Sequence, residues 1–127
     1  MNNALEFFKI IEKKGYKLIK QGLKNEDVLN EFSDLSKLVC SYNDALISCL
    51  YAETFSSFCY GNSKAMKALK LDKLQDIVIK GNNEELMYRF GTRVCGADLR
   101  SLIEAMPYGS SRKQLEREIQ PINEANL

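Results

Sequence analysis

Apolar residues recur at intervals of three and four over most of this chain, which is the spacing of one side of an α-helix. Between residues 4 and 23 the apolar positions Ala4, Phe8, Ile11 and Leu18 follow this spacing, and lysines occupy a separate side. No stretch alternates apolar and polar residues for long enough to indicate a strand. The pattern therefore predicts an all-α fold, a single-domain helical bundle of about six to seven helices.

The longest apolar run extends from Leu38 to Tyr60 and contains three of the four cysteines. Its apolar residues surround the helix instead of forming one stripe, and such a helix is normally buried by its neighbours. We therefore predict that it is the central helix. The residues predicted to be nearly inaccessible are Leu46, Cys49, Leu50 and Phe55. Ser41 and Asp44 form a capping signature, which leaves open whether this helix breaks near Ser41 or continues to Tyr60.

Capping residues and helix-breaking residues predict where the other helices begin and end. The predicted N-caps are Asn25, Ser63, Asp72, Asn82, Asp98 and Ser111. The predicted ends lie at Gly22, Gly61, Gly81, Pro107 and Pro121. Within the first helix, Gly15 lowers stability by about 1 kcal/mol relative to alanine and permits a neighbour to approach closely. We predict one domain over residues 1–121 and a frayed tail over 122–127.

Composition is that of an ordinary globular protein. The chain has 127 residues, of which 45% are hydrophobic and 28% charged, and its net charge is +1. No run approaches the roughly 18 apolar residues of a membrane span. The N-terminal segment lacks the order of a signal peptide, since its lysines follow the apolar residues. We expect a cytoplasmic protein that does not enter a membrane.

The chain offers little material for catalysis. Histidine is absent, which removes the commonest general base and every Cys-His or Ser-His-Asp arrangement. The four cysteines are spaced by 9, 10 and 36 positions, which does not fit the close pairs of a zinc site. Cys95 is the candidate for a lone nucleophile, but it lies at a predicted helix end, where thiolates are not stabilised. We predict no enzyme, no metal and no cofactor.

The charges are divided into blocks that favour a binding function. Residues 1–24 carry six lysines against two glutamates, and residues 25–62 carry one lysine against six acids. In the acidic block, Asp27, Glu31 and Asp34 follow helical spacing and form a stripe. Such a face suits a basic protein partner, because complementary fields steer association. Inhibitors of toxins use acidic faces of this kind, and small α-helical immunity proteins and antitoxins have about this size.

We therefore expect a cytosolic protein-binding module of inhibitor or immunity type that covers the active site of a toxin or effector. Acidic residues at a second predicted helix start are further candidate contacts. Two residues of the PYGSSR loop complete the set, because tyrosine and arginine are enriched at binding hot spots. The candidate protein-binding residues are Asp27, Glu31, Asp34, Glu84, Glu85, Tyr108 and Arg112.

Two other functions remain open. The first is a small nucleic-acid-binding regulator, in which lysine-rich helices contact phosphates. Its candidate residues are Lys9, Lys13, Lys17, Lys64, Lys67 and Lys70. The second is a chaperone of a secreted protein, which would show a large exposed apolar groove. The sequence does not indicate the oligomeric state.

Overall fold

The computed structural model describes the backbone of residues 3–125 and the side chains of residues 3–118. All regular structure in that part of the chain is helical, so the predicted all-α bundle is confirmed. The helices are α1 (Asn3–Gln21), α2 (Glu26–Tyr42), α3 (Ala45–Cys59), α4 (Ser63–Leu69), α5 (Leu71–Lys80), α6 (Glu84–Arg93), α7 (Leu99–Ala105) and α8 (Ser110–Ala125). Only Lys70 separates α4 from α5, so these two make one broken helix.

Helix α3 is the centre of the bundle, because it packs against α1, α2, α4, α5 and α6. Cys49 and Phe55 are fully buried, as predicted, together with Tyr51. Leu46 and Leu50 are only half-buried, so the prediction that they are nearly inaccessible is wrong. The buried positions of α3 are residues 47, 48, 49, 51, 52, 55, 56 and 59. This is one broad side of a helix, and the two leucines lie beyond its edge.

The stretch from Leu38 to Tyr60 is not one helix. It breaks at Asn43, whose φ of 58° lies in the left-handed region, and restarts at Asp44. The Asp44 carboxylate accepts a hydrogen bond of 2.9 Å from the backbone N–H of Ile47 and so caps α3. The break that the sequence left open is therefore real, but its N-cap is Asp44 and not Ser41, and residues 38–42 belong to α2.

Two predicted N-caps are displaced by one residue. The caps of α4 and α6 are Asn62 and Asn83, whose side chains accept hydrogen bonds from the N–H groups of Ala65 and Leu86. The predictions of Ser63 and Asn82 are therefore wrong. Ser63 is already helical, and Asn82 has a φ of 54°, whereas an N-cap has extended backbone. Asn25 and Asp98 cap α2 and α7 as predicted.

The predicted capping box of Asp72 and Gln75 is also wrong. Helix α5 begins after Lys70 without a side-chain cap, and Asp72 lies in its first turn. Gln75 is buried and makes two hydrogen bonds to the backbone of Asp98, which donates at 2.9 Å and accepts at 3.0 Å. This pair attaches the start of α7 to α5.

The last helix differs from its prediction in length. Helix α8 begins at Ser110 and runs to Ala125, so the predicted end at Pro121 is wrong. Its first turns pack on α6 and α7 through Leu115, which is buried. Fraying of residues 122–127 stays a prediction, and residues 126 and 127 lie outside the described part. Within residues 3–125 no helix is long and apolar enough to cross a membrane.

Candidate interaction surface

Helices α1 and α2 form an antiparallel hairpin at one side of the bundle. The turn between them begins at Gly22, whose φ of +102° is readily adopted only by glycine. At the far end of the hairpin the rings of Phe7 and Tyr42 stack, with centroids 4.1 Å apart and planes 10° apart. These two contacts place the start of α1 beside the end of α2.

One side of this hairpin is turned away from the core, and we call it the α1–α2 face. On each helix its members are spaced by three or four residues, so they lie on one side of that helix. The exposed members are Ile10, Lys14, Lys17 and Gln21 on α1, and Glu31, Asp34, Leu38 and Tyr42 on α2, and the half-buried Phe7 borders the face.

The end of the face near Phe7 is apolar and accessible. Ile10 is 59% exposed, Leu38 is 48% exposed and Tyr42 is 39% exposed. Single apolar side chains on a surface are normal, but several on one face typically mark an interaction site. This apolar end is therefore a candidate contact region for another macromolecule.

The other end of the face is a charged groove of about 540 Å³. Leu18 and Leu35 are buried residues that form its floor. Its walls carry opposite charges, with lysines on the α1 side and acids on the α2 side. The charged wall residues are Lys14, Lys17, Glu31 and Asp34. A basic stripe and an acidic stripe thus run side by side.

The charged side chains of the two groove walls do not form ion pairs with each other. Among the described side chains, neither Lys14 nor Lys17 lies within 4.0 Å of a carboxylate oxygen, and Asp34 pairs only with Lys37 at 3.9 Å. That pair is exposed, and exposed ion pairs contribute little, about 0–1 kcal/mol. The groove charges are therefore available to a partner.

The structure brings part of the predicted acidic set to this face. Glu31 and Asp34 line the groove, whereas Asp27 is exposed in the first turn of α2. Glu84 and Glu85 lie in the first turn of α6, where acids favour the positive end of the helix dipole.

The PYGSSR loop is also separate from the α1–α2 face. Tyr108 is 89% exposed, and the Arg112 guanidinium lies 4.2 Å from the centre of its ring. Arg112 donates hydrogen bonds to the backbone oxygen of Met106 at 3.2 Å and to Glu116 at 3.0 Å. These contacts give Arg112 a structural role at the start of α8.

The lysines of the nucleic-acid hypothesis are divided between two helices. Lys9 and Lys13 are exposed on α1, and Lys17 lines the groove opposite Glu31 and Asp34. Lys64 and Lys67 are exposed on α4, and Lys70 lies between α4 and α5 with a φ of 58°. Each group therefore forms its own short basic stripe.

The two buried thiols, Cys49 and Cys59, are in poor environments for nucleophilic chemistry. Burial raises the pKa of Cys49 to about 11, and Glu53 adds to the effect. Burial alone raises the pKa of Cys59 to about 12. Because the thiolate is the reactive form, both side chains are weak nucleophiles at neutral pH. In the described part of the chain no three His, Cys, Asp or Glu residues are grouped so that they could hold a metal ion.

An ion-pair cluster between α3 and α6 was not indicated by the sequence. Glu53 accepts two hydrogen bonds from Arg89, at 2.7 Å and 3.2 Å, and one from Arg93 at 3.3 Å. Desolvation by itself raises the pKa of Glu53, but the hydrogen bonds and charges of Arg89 and Arg93 outweigh it and hold the pKa below its usual range. The partners are 36 and 40 positions apart, so spacing carries no signal for them.

The apolar members of the α1–α2 face were likewise missed, although a signal exists for them. Ile10 and Leu38 lie outside the stripes that pack into the core, which run through Ile11 and Val39. An apolar residue outside a buried stripe is a candidate for a surface contact.

Comparison with known proteins finds no matching family model, no matching curated protein and no matching solved structure.

Proposed function

We propose that this chain is a protein-binding module that performs no chemistry and that docks its partner on the α1–α2 face. One observation carries the proposal: three large apolar side chains, Ile10, Leu38 and Tyr42, are exposed next to a groove whose charges are available. Protein interfaces combine an apolar centre with a polar rim in this way.

The charges define the chemistry of the partner surface. It presents apolar side chains to Ile10 and Leu38, acids to the lysines of α1, and basic residues to Glu31 and Asp34. Opposite charges at matched positions accelerate association and select the register. Since the face carries both signs, the surface that fits it is mixed in charge instead of uniformly basic.

An inhibitor of immunity type, active in the cytoplasm, is the narrower form of this proposal. It is supported by the absence of histidine from the sequence and by the raised pKa values of Cys49 and Cys59, which both argue against chemistry by this chain. In this role the module would cover the active site of a toxin or effector with the α1–α2 face.

No structural observation favours the two alternatives over protein binding. Lys17 shares its groove with two carboxylates, which would repel a phosphate backbone. A chaperone would expose a large apolar groove, whereas the walls of this groove are charged. Both functions stay as hypotheses that the following experiment also tests.

Photo-crosslinking from defined positions tests the proposal. A photoreactive amino acid is placed at Leu38 on the face and, in a matched protein, at Tyr108 on the exposed loop outside it. We expect crosslinking in the native host to capture a protein from position 38 and none from position 108. The variant Ile10→Asp, which places a charge beside the apolar contact, should abolish the crosslink.

The remaining outcomes separate the alternatives. Capture of DNA or RNA instead of protein, lost in a Lys64→Glu/Lys67→Glu variant, would favour the regulator. Protein capture from position 108 alone would overturn the choice of face and support the loop. Capture from neither position would contradict protein binding. Circular dichroism spectra confirm that each variant keeps its helix content.

A further inference from the structure

We infer that a second copy of this chain is the partner of the α1–α2 face, so that the protein forms a two-fold symmetric dimer. The inference rests on the proposed function, names the partner of the same surface, and replaces the inhibitor form, in which a toxin or effector would occupy that surface. It is carried by the order of charges on the face. Lysines follow α1, acids follow α2, and both stripes begin beside the same exposed apolar end.

A two-fold axis that lies in the contact plane and runs parallel to the groove makes this face complementary to itself. Such an axis exchanges the two sides of the groove and leaves each position along the groove unchanged. Helix α1 of one copy then lies over α2 of the other. Lys14 and Lys17 of each copy face Glu31 and Asp34 of its partner, and the contacts occur twice, as in any isologous interface.

The same axis matches the apolar ends. Because position along the groove is unchanged, Ile10 and Leu38 of one copy meet the apolar end of the other. Together they would remove four exposed large aliphatic side chains from water, two from each copy. A charged rim beside such an apolar contact is the usual arrangement of an interface.

The other possible two-fold axis does not match both the charges and the apolar ends. A two-fold axis in the contact plane but perpendicular to the groove keeps α1 over α1 and reverses positions along the groove. If this axis crosses the charged groove, lysines lie over lysines and acids over acids. If it crosses the middle of the face, the apolar end of each copy lies over the charged end of the other. Like-charge contacts of this kind select strongly against the wrong arrangement. The order of charges therefore specifies one dimer geometry.

The helix directions in that geometry are also favourable. Since α1 and α2 are antiparallel within a copy, α1 of one copy runs antiparallel to the α2 that it covers in the other. The four helices form an antiparallel four-helix arrangement, which is a common and well-packed one. Exposed residues contribute most of the contact, so dimer formation requires no change in the fold of either copy.

Two variants, each with the charges of one groove wall reversed, test the inference separately and as a mixture. Lys14→Glu/Lys17→Glu makes both walls acidic, and Glu31→Lys/Asp34→Lys makes both walls basic. We expect wild type to be a dimer by analytical ultracentrifugation at low salt. Each variant alone should have a dimer dissociation constant raised by roughly tenfold or more. An equimolar mixture of the two variants should restore dimers, because acidic walls then face basic walls on both sides.

Controls on other helices carry the same changes in net charge. Lys64→Glu/Lys67→Glu matches the first variant, and Asp76→Lys/Glu104→Lys matches the second. Both controls should dimerise like wild type, whereas Leu38→Asp should be monomeric even in the charge-matched mixture. The residues changed are exposed, and circular dichroism verifies that each variant is folded.

Failure of the dimer and failure of protein binding give different results. A monomeric wild type whose position 38 crosslinks to another protein would overturn the dimer and leave the docking surface in place. A dimer that neither charge variant weakens would place the contact elsewhere and overturn the inference. Dimers that form in the mixture but in neither variant alone would support it.

Discussion

Gly15 lies in the middle of α1, where the central helix comes closest. A Cβ on this residue would overlap the ring of Phe55, lying 2.7 Å from Cε1 and 2.8 Å from Cε2. The ring is fully buried and packs against Tyr16, Phe32 and Tyr51. The sequence indicated that a glycine permits a close approach here, and the structure identifies Phe55 as the neighbour.

We expect Gly15→Ala to lower stability although alanine favours helix. The gain in helix propensity is about 1 kcal/mol, whereas overpacking costs about 1–3 kcal/mol. A fully buried ring has little space to move, so we expect overpacking to dominate. Urea unfolding followed by circular dichroism measures the change, with Lys13→Ala at an exposed position of α1 as control. A midpoint at or above that of wild type would mean that the Phe55 ring moves aside freely.

The thiols provide a second test at the scale of residues. All four cysteines are free, and burial also raises the pKa of Cys40, with Lys73 and Lys70 acting in the opposite direction. At pH 8 a thiol of pKa 11 has on the order of a hundredfold less thiolate than an unperturbed one of pKa 8.5.

We therefore expect slow labelling of Cys49 and Cys59 by a disulfide reagent in the native protein. Any fast phase belongs to the half-buried Cys40 and Cys95. The double variant Cys40→Ser/Cys95→Ser should lose that phase, and unfolded wild type should label at four sites. Rapid labelling of all four thiols in the native protein would contradict the burial of the central cysteines.

At the scale of elements, the cluster of Glu53, Arg89 and Arg93 joins α3 to α6. The folded-state pKa of Glu53 is lower than its unfolded value. Its contribution to stability is therefore complete above the unfolded pKa and is lost as the pH falls through the folded pKa. The pairing acts at neutral pH and disappears in acid.

We expect Glu53→Gln to lower the free energy of unfolding at pH 7 by about 1–3 kcal/mol, because the hydrogen bonds from the arginines lose their charged acceptor. The difference between wild type and variant should shrink as the pH falls below about 4.3, where carboxylates become protonated. Urea unfolding between pH 3 and 7 measures this, and Glu104→Gln, at an exposed position, is the control. A difference that does not change with pH would exclude the ion pair as its source.

At the scale of the whole molecule, charge is ordered although the total is only +1. The lysine-rich segment 1–24 and the acidic segment 25–62 fold into neighbouring helices, so their stripes lie along one groove. Considered separately, the stripes predict a basic protein partner or a nucleic acid. Because the stripes lie side by side, they predict a partner whose surface has mixed charge. We infer that the same face of a second copy is that surface.

The sequence by itself determined that the chain is helical and approximately where the helices lie, because apolar spacing, capping residues and glycines act over a few neighbouring residues. It predicted the all-α bundle and the caps at Asn25 and Asp98, and it indicated that Gly15 permits a close approach. It left open the break near Ser41, since a continuous helix and two capped helices have the same apolar spacing.

Only the tertiary structure decided which residues meet across helices. Packing brought Glu53 to Arg89 and placed Lys17 opposite Glu31, and no periodicity within one helix contains that information. It also decided burial at the edges of stripes, where Leu50 is half-buried and Leu38 remains exposed. Whether such a residue is covered depends on the position of a neighbouring helix, and that position is set by the packing of the entire bundle.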